Sequence, residues 1–305
     1  MKVTERFVDI EGHRLACLAV NEHLAQPGEP AVVFIHGVLA SVNFWRAALP
    51  ADYRDNRPWY ALSLPAHSPS TVPADFHPDQ VDDDWFYRIM NGALEQLLQG
   101  RKAIVVGHST GGFVALNLAI QHSPLLAGLV SIAGFHRGQW GGVEGLLVKL
   151  AAQGQWGRPL FAANIAIARH SRYVQKTFAS LLARDRNAFL RHPMSQAMLD
   201  NIRADTRAQD ARALYCLFNG IGRLEIGHRL DAIRVPCHLF VGTHDPVVPA
   251  SQSVLLADRV PRARTEVFWN VGHMPFMEST EQFGCALDRA IAAITQQYKA
   301  TAAAA

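Results

Sequence analysis

KAIVVGHSTGGFVALNLAIQH, residues 102–122, is the stretch that decides the fold of this 305-residue chain. Its first half is a continuous apolar run ending at Gly107, which predicts a strand buried on both faces of a parallel sheet. Its second half carries apolar residues at helical spacing over 111–122. A buried strand that turns directly into a helix is the repeating unit of an α/β protein.

The same alternation continues on both sides of this stretch. Residues 4–20 predict an antiparallel hairpin at a sheet edge, turning at Glu11-Gly12-His13. Further buried or half-buried strands are predicted from AVVFIHG, WYALSL, LAGLVSIAGF, VPCHLFVGTHD and TEVFWNVGH, which are residues 31–37, 59–64, 126–135, 235–245 and 265–273. Helices are predicted over 82–99, near 250–260 and over about 281–297.

One long segment, residues 136–232, interrupts the alternation. It has no buried-strand run, is rich in Ala, Leu, Arg and Gln at helical spacing, and holds 14 Lys+Arg against 7 Asp+Glu. We therefore predict two core portions, 1–135 and 233–305, that flank a basic helical cap over 136–232.

Composition limits the class of protein and its partners. Hydrophobic residues make up 49% of the chain and charged residues 18%, which excludes a disordered chain. The net charge of +3, without a run of like charges, predicts a small-molecule partner and no strong footprint for nucleic acid or an anionic membrane. No window approaches 18 uninterrupted apolar residues, which predicts no stable membrane insertion. Four scattered cysteines and the absence of a leader pattern favour a cytoplasmic protein. Oligomeric state stays open.

The motif Gly107-His108-Ser109-Thr110-Gly111 lies at the strand-to-helix turn. A G-x-S-x-G motif in this position presents the serine hydroxyl to a cleft, since the flanking glycines let the backbones approach closely. The amide of Thr110 would then lie at a helix N-terminus, where it can stabilise negative charge on a substrate oxygen. A serine-containing turn without catalytic function is the alternative.

A serine nucleophile needs a general base and a carboxylate that orients the base. Asp245 and His273 each follow an apolar run downstream, which gives a Ser, Asp, His order along the chain. A turn aspartate before Pro246 and a packed core histidine are the alternatives. The loop after the first parallel strand, His36-Gly37-Val38, would supply the second oxyanion donor through the amide of Val38.

Together, HGVLAS at 36–41, GHSTGG at 107–112, GTHDPVVP at 242–249 and VGHMPFMES at 271–279 resemble the α/β-hydrolase superfamily, in particular its lidded, cofactor-free serine esterases. The resemblance implies an eight-stranded, mostly parallel sheet with helices on both faces and a helical cap over the active site. It also implies acyl chemistry, because relatives that attack carbon directly carry aspartate in place of Ser109. No cofactor or metal is expected, since neither nucleotide-binding loops nor metal-ligand spacings occur.

The expected substrate is a small to medium, largely apolar carboxylic ester. Bulky residues that could line its pocket, mostly in the cap, are Trp140, Trp156, Phe161, Met194, Met198 and Met274. A C–C bond hydrolase, thioesterase or lactonase with the same triad remains open. A lyase or acyltransferase also remains, which a cap lysine near Ser109 would favour, with Lys149 and Lys176 as candidates. A ligand-binding receptor without catalysis is the third class.

Overall fold

A computed structural model describes residues 1–304 and contains one eight-stranded sheet. The strand order is β1-β2-β4-β3-β5-β6-β7-β8. The first two strands form the predicted edge hairpin, and the prediction of an eight-stranded, mostly parallel sheet is confirmed. The strands are β1 (Val3–Ile10), β2 (His13–Val20), β3 (Ala31–Ile35), β4 (Trp59–Leu62), β5 (Ala103–His108), β6 (Leu126–Ile132), β7 (Cys237–Gly242) and β8 (Arg264–Phe268).

Strand direction separates the edge of the sheet from its centre. β1 pairs antiparallel with β2, and β2 pairs antiparallel with β4, whereas all other neighbours pair parallel. Every residue of β3, β4, β5 and β6 is buried. Alternate side chains enter different cores, so Val33 packs in one hydrophobic cluster and Phe34 in the other. The apolar runs of these strands are continuous because both faces are covered.

Helices cover both faces of the sheet. The helices outside the β6–β7 connection are α1 (Trp45–Ala48), α2 (Ala51–Asn56), α3 (Asp83–Leu98), α4 (Thr110–Ile120), α11 (Ala250–Arg259), α12 (Pro275–Glu278) and α13 (Thr280–Ala304). The β6–β7 connection holds α5 (Gly142–Ala152), α6 (Gly157–His170), α7 (Arg172–Ser180), α8 (Arg186–Arg191), α9 (Pro193–Arg207) and α10 (Ala211–Ile221). We call residues 136–232 the helical insertion.

Two helical regions differ from the sequence prediction. The short helices α1 and α2 were not predicted, since each has fewer than seven residues and no full apolar period. The last helix continues to Ala304, beyond the predicted end near Gln297, because alanine has the highest helix propensity. Within residues 1–304, no helix combines the length and apolarity needed to cross a membrane.

Candidate active site

Ser109 occupies a tight turn between β5 and α4. Its φ is +53°, a left-handed value that is uncommon outside glycine. A Cβ on Gly107 would lie 2.0 Å from the carbonyl oxygen of Gly111, and a Cβ on Gly111 would lie 2.2 Å from the carbonyl oxygen of Ile35. The turn therefore requires glycine at both positions. The Ser109 amide donates to the Ile132 carbonyl at 2.9 Å, which anchors the turn to β6.

Asp245 and His273 form a buried pair beyond the carboxyl ends of β7 and β8. Ser109 follows the carboxyl end of the parallel strand β5, so all three lie at the same end of the strands. The Nδ1 atom of His273 lies 2.7 Å from Oδ2 of Asp245, and both side chains are buried. The other carboxylate oxygen of Asp245 accepts from the amides of Val247 and Val248 at 2.8 and 3.0 Å. With both oxygens engaged, the carboxylate is fixed in position, and Nδ1 of His273 is the donor.

The electrostatics of this pair favour a protonatable imidazole. Burial by itself lowers the pKa of His273, but attraction and hydrogen bonding to Asp245, with a further contribution from Glu144, raise the pKa above its usual value. Neither Nε2 of His273 nor Oγ of Ser109 has a hydrogen-bond partner within residues 1–304. Both the base nitrogen and the hydroxyl are thus uncommitted, and catalysis would require them to come within hydrogen-bond reach of each other.

Two neighbouring groups hold the loop that carries His273. Burial keeps the pKa of His108 well below its usual range, so its neutral Nε2–H donates to the His273 carbonyl at 2.9 Å. The Glu278 carboxylate accepts from the amides of Gly272 at 3.0 Å and Met274 at 3.2 Å. It also accepts from the Arg184 amide at 2.8 Å, which ties this loop to the helical insertion.

Two buried histidines order the loop after β3. The ring of His36 donates from Nδ1 to the Gly37 carbonyl at 2.8 Å and accepts from the Leu64 amide at 3.2 Å. The ring of His67 accepts from the Leu39 amide at 3.0 Å. Burial lowers the pKa of His36 to about 3 and that of His67 to about 4, so both rings are neutral. This loop is therefore held rigidly beside Ser109.

The two expected oxyanion donors lie next to Ser109. Thr110 begins α4, so its amide has no acceptor inside the helix. Gly37 packs against the serine, because a Cβ on Gly37 would lie 3.0 Å from the Ser109 Cβ. Val38 follows Gly37 and lines the same cavity as Ser109. The structure thus brings both residues to the serine, and their role as donors remains a prediction.

A cavity of about 180 Å³ opens at Ser109, between the sheet edge and the helical insertion. Its lining is mostly apolar, which suits an acyl group. Residues from the core loops are Gly37, Val38, Leu39, Ala40, Phe44, His108, Ser109 and Met274. The helical insertion contributes Val143, Glu144, Leu146, Leu147, Asn164, Ile165, Ala168, Arg169, Gln175, Phe178, Ala179, Leu182, Met198, Leu199, Ile202, Thr206, Gln209 and Leu214.

Glu144 is the acidic side chain of this lining, and Arg169 is its permanently cationic one. Glu144 is 4% exposed, and its Oε2 atom has no hydrogen-bond partner within the described chain. Burial raises the pKa of Glu144 to about 7. Attraction to His273 opposes this rise, and repulsion from Asp245 adds to it. Arg169 donates from its guanidinium to the Gln209 carbonyl at 3.2 Å, while its Nε–H is unpartnered. Both groups can therefore interact with a polar part of a ligand.

Comparison with known proteins identifies the family. The family model of the alpha/beta hydrolase fold matches residues 30–280, most of the chain. The chain belongs to the α/β-hydrolase family. Among curated proteins, a 2-succinyl-6-hydroxy-2,4-cyclohexadiene-1-carboxylate synthase from Salmonella agona (strain SL483) is 26% identical over 255 residues, 83% of this chain and 90% of the relative.

Solved structures agree on the fold of this α/β-hydrolase. The enol-lactonase from Burkholderia xenovorans LB400 superposes with a TM-score of 0.70 at 18% identity, covering 94% of this chain and 100% of the other. A carboxylesterase from Bacillus subtilis superposes with a TM-score of 0.70 at 19% identity, covering 94% of this chain and 90% of the other. At these identities the likeness concerns the fold.

The expected pocket residues divide into two groups. Met198 and Met274 line the cavity, whereas four other residues lie outside its lining. Trp140 and Phe161 pack within the apolar core, where each ring contacts Phe218. The remaining two are Trp156, which is exposed, and Met194, which packs against the core from the surface. The spacing of apolar residues along a helix predicts which face is buried, but it does not predict which neighbour covers each side chain.

Several residues of the site were not found from the sequence. Glu144 lies in the first turn of α5, where the helix dipole favours an acidic residue. Its position in the sequence is explained by this effect, so its burial could not be inferred. Glu278 follows His273 by five residues, and its three amide contacts arise only when the loop folds back. The candidate lysines Lys149 and Lys176 do not line the cavity. The site instead has Arg169 as a cation.

Proposed function

We propose that this α/β-hydrolase cleaves a carboxylic ester of a small to medium, largely apolar acyl group through an acyl-enzyme on Ser109. The observation that carries the proposal is the buried Asp245–His273 pair, whose loop is hydrogen-bonded to His108, the residue before a serine that opens into an apolar cavity. The helical insertion would act as the cap of this cavity. No metal or cofactor enters the proposed reaction.

In the first half of the reaction, Nε2 of His273 accepts the hydroxyl proton of Ser109 while Oγ attacks the ester carbonyl carbon. The carbonyl oxygen becomes negative and is stabilised by the amides of Val38 and Thr110. The carbon–oxygen bond to the alcohol then breaks, and the alcohol leaves with the proton from His273. Asp245 stays ionised and stabilises the imidazolium.

In the second half, His273 removes a proton from water, and the hydroxide attacks the acyl carbon. The bond to Ser109 breaks, Oγ recovers the proton from His273, and the free acid leaves. The apolar cavity supports an acyl group without charge, because desolvating an ionised group there would be costly. Thioesters and lactones fit the same steps, since only the leaving atom differs.

The test is hydrolysis of p-nitrophenyl esters from acetate to palmitate by the wild type and Ser109→Ala, together with labelling by a fluorophosphonate. We expect the wild type to turn over short and medium esters and to be labelled at Ser109, and Ser109→Ala to do neither. Turnover by Ser109→Ala at the wild-type rate would exclude Ser109 as the nucleophile. An unlabelled wild type would favour the ligand-binding alternative.

A second candidate is a lyase or C–C bond hydrolase acting on an anionic substrate. Arg169 supports it, because its unpartnered Nε–H in an apolar cavity is suited to a carboxylate. The relative from Salmonella agona acts as a synthase of a carboxylate, according to its name. If Arg169→Gln leaves the hydrolysis of neutral esters unchanged but removes activity on carboxylate-bearing substrates, this second reaction is favoured.

A further inference from the structure

The outer surface of the helical insertion is unusually apolar. Five large apolar side chains between residues 142 and 180 are 55–81% exposed: Leu146, Trp156, Leu160, Ile167 and Tyr173. They make up five of the eleven exposed large hydrophobic side chains in the described chain. Because exposed apolar groups on a monomer are normally scattered, this concentration in three consecutive helices and the 3-10 turn between the first two indicates a docking surface.

Three of these side chains share one helix face, and the other two lie on helices that pack against that helix. Trp156, the N-cap of α6, is followed at intervals of four and seven residues by Leu160 and Ile167, so the three lie on one face of this helix. That face points to solvent, since the buried residues of α6 lie at other positions, Phe161 and Ile165 among them. Helices α5 and α7 precede and follow α6 in the sequence, both pack against it, and they carry Leu146 and Tyr173. We call these five side chains the apolar face.

The charged residues around the apolar face are almost all positive. Residues 142–180 contain five lysines and arginines and a single acid, Glu144, which is buried in the cavity. Two of the cations are already engaged, Arg172 with Asp200 and Arg169 with Gln209. Lys149 and Lys176 have no salt-bridge partner in residues 1–304, and each follows an exposed apolar side chain by one helical turn. The surface thus combines apolar and cationic side chains.

The apolar face reaches the mouth of the cavity. Leu146 is exposed and also belongs to the cavity lining. Its neighbour Val143 on α5 and Asn164 on α6 line the cavity as well. A molecule bound at the apolar face would therefore lie beside the opening that leads to Ser109.

We propose that the apolar face docks this protein on an anionic lipid surface. Apolar side chains with tryptophan and tyrosine among flanking lysines are the combination that binds at the boundary of headgroups and acyl chains. The lysines would contribute through the negative surface potential of the lipid. A second copy of this chain fits less well, because two such faces would bring their cations together. The overall charge of +3 conceals this local excess.

The first test is sedimentation of the whole protein with vesicles of phosphatidylcholine, with and without phosphatidylglycerol. We expect binding to the mixed vesicles that weakens with salt, and at least about tenfold weaker binding when Lys149→Glu and Lys176→Glu are combined. The matched control combines Arg262→Glu and Arg264→Glu, two exposed cations by β8, and makes the same change in net charge. The control should bind like the wild type.

Tryptophan fluorescence locates the docking face directly. Trp156 and Trp269 are both exposed, but only Trp156 belongs to the apolar face. We expect vesicles to shift the emission to the blue, and brominated lipids to quench it. Trp156→Ser should remove both effects, and Trp269→Ser should retain them. The double variant Leu160→Gln, Ile167→Gln should lose binding, whereas Val254→Gln on α11 should keep it.

The results that overturn the proposal are specific. Equal loss of binding in the β8 control would mean that net charge alone acts. Absence of binding to both vesicle types would reject a lipid partner. A dimer in sedimentation velocity that Trp156→Ser dissociates would assign the apolar face to a second copy instead. None of these measurements requires ester hydrolysis, so failure of the proposed reaction is seen separately, with p-nitrophenyl acetate and Ser109→Ala.

Discussion

The Nδ1 atom of His273 lies 2.7 Å from Oδ2 of Asp245, and the two side chains are almost completely removed from solvent. A hydrogen bond between an imidazole and a carboxylate in this environment fixes the tautomer of the ring. The free nitrogen is then Nε2, the atom that has no other partner among the described residues. The base proposed for catalysis is therefore prepared before substrate binds.

Replacing Asp245 by Asn removes the negative charge that stabilises protonated His273. We expect kcat to fall by about 10⁴-fold, the loss found when a triad carboxylate is neutralised. Since attraction to Asp245 raises the pKa of His273, the acid limb of any residual activity should move to lower pH. The measurement is the pH profile of kcat/KM for p-nitrophenyl butanoate. An Asp245→Asn enzyme with wild-type kcat would show that another group orients the base.

Glu144 should make stability depend on pH. Burial raises its pKa from 4.5 to about 7, so between these values the unfolded chain releases a proton that the folded protein retains. Folding stability contributed by this group is complete below the lower value and is lost as pH rises towards 7. Glu144→Gln should therefore become more stable than the wild type by up to about 3 kcal/mol at pH 8, and by much less near pH 5.

The measurement is urea denaturation of both proteins across this pH range. Glu5→Gln, which changes an exposed glutamate on β1, serves as the matched control and should follow the wild type at every pH. If Glu144→Gln differed from the wild type by the same amount at both ends of the range, the buried carboxyl group would not be the cause.

Gly107 should tolerate no side chain. A Cβ there would lie 2.0 Å from the Gly111 carbonyl oxygen, and the two backbones cannot separate without moving β5 or α4. We expect Gly107→Ala to destabilise the protein by more than about 4 kcal/mol or to prevent folding. Gly28→Ala separates this clash from backbone strain, because Gly28 has φ +78° but no heavy atom within 4 Å of the added Cβ. Its cost should be about 1–2 kcal/mol.

Met198 should set the length of the acyl group that the cavity accepts. It lines the cavity, whereas Met194, one turn earlier on α9, does not. Met198→Phe reduces the space available, so we expect the ester with the highest kcat/KM to become shorter. Met194→Phe should leave that optimum unchanged. The comparison uses p-nitrophenyl esters of increasing length, and an unchanged optimum in Met198→Phe would place the acyl group elsewhere.

Much of the fold could be predicted because its signals are local. β5 is apolar throughout, the turn at Ser109 has glycine on both sides, and α4 follows at once. Helices α1 and α2 are too short for a periodic pattern, and they were missed. The expected site residues Ser109, Asp245 and His273 could be selected because each follows a strand, and the carboxyl ends of parallel strands meet at one edge.

The sequence by itself determined the strand–turn–helix unit at Ser109, the α/β order of elements and the insertion after β6. These follow from the period of apolar residues and from where glycine is required. Only the tertiary structure decided that Glu144 is buried beside His273, that Glu278 holds the His273 loop, and that Trp156 faces solvent while Phe161 is in the core. Exposure and charge state depend on neighbours distant in the chain, and those neighbours are fixed only when the helices pack.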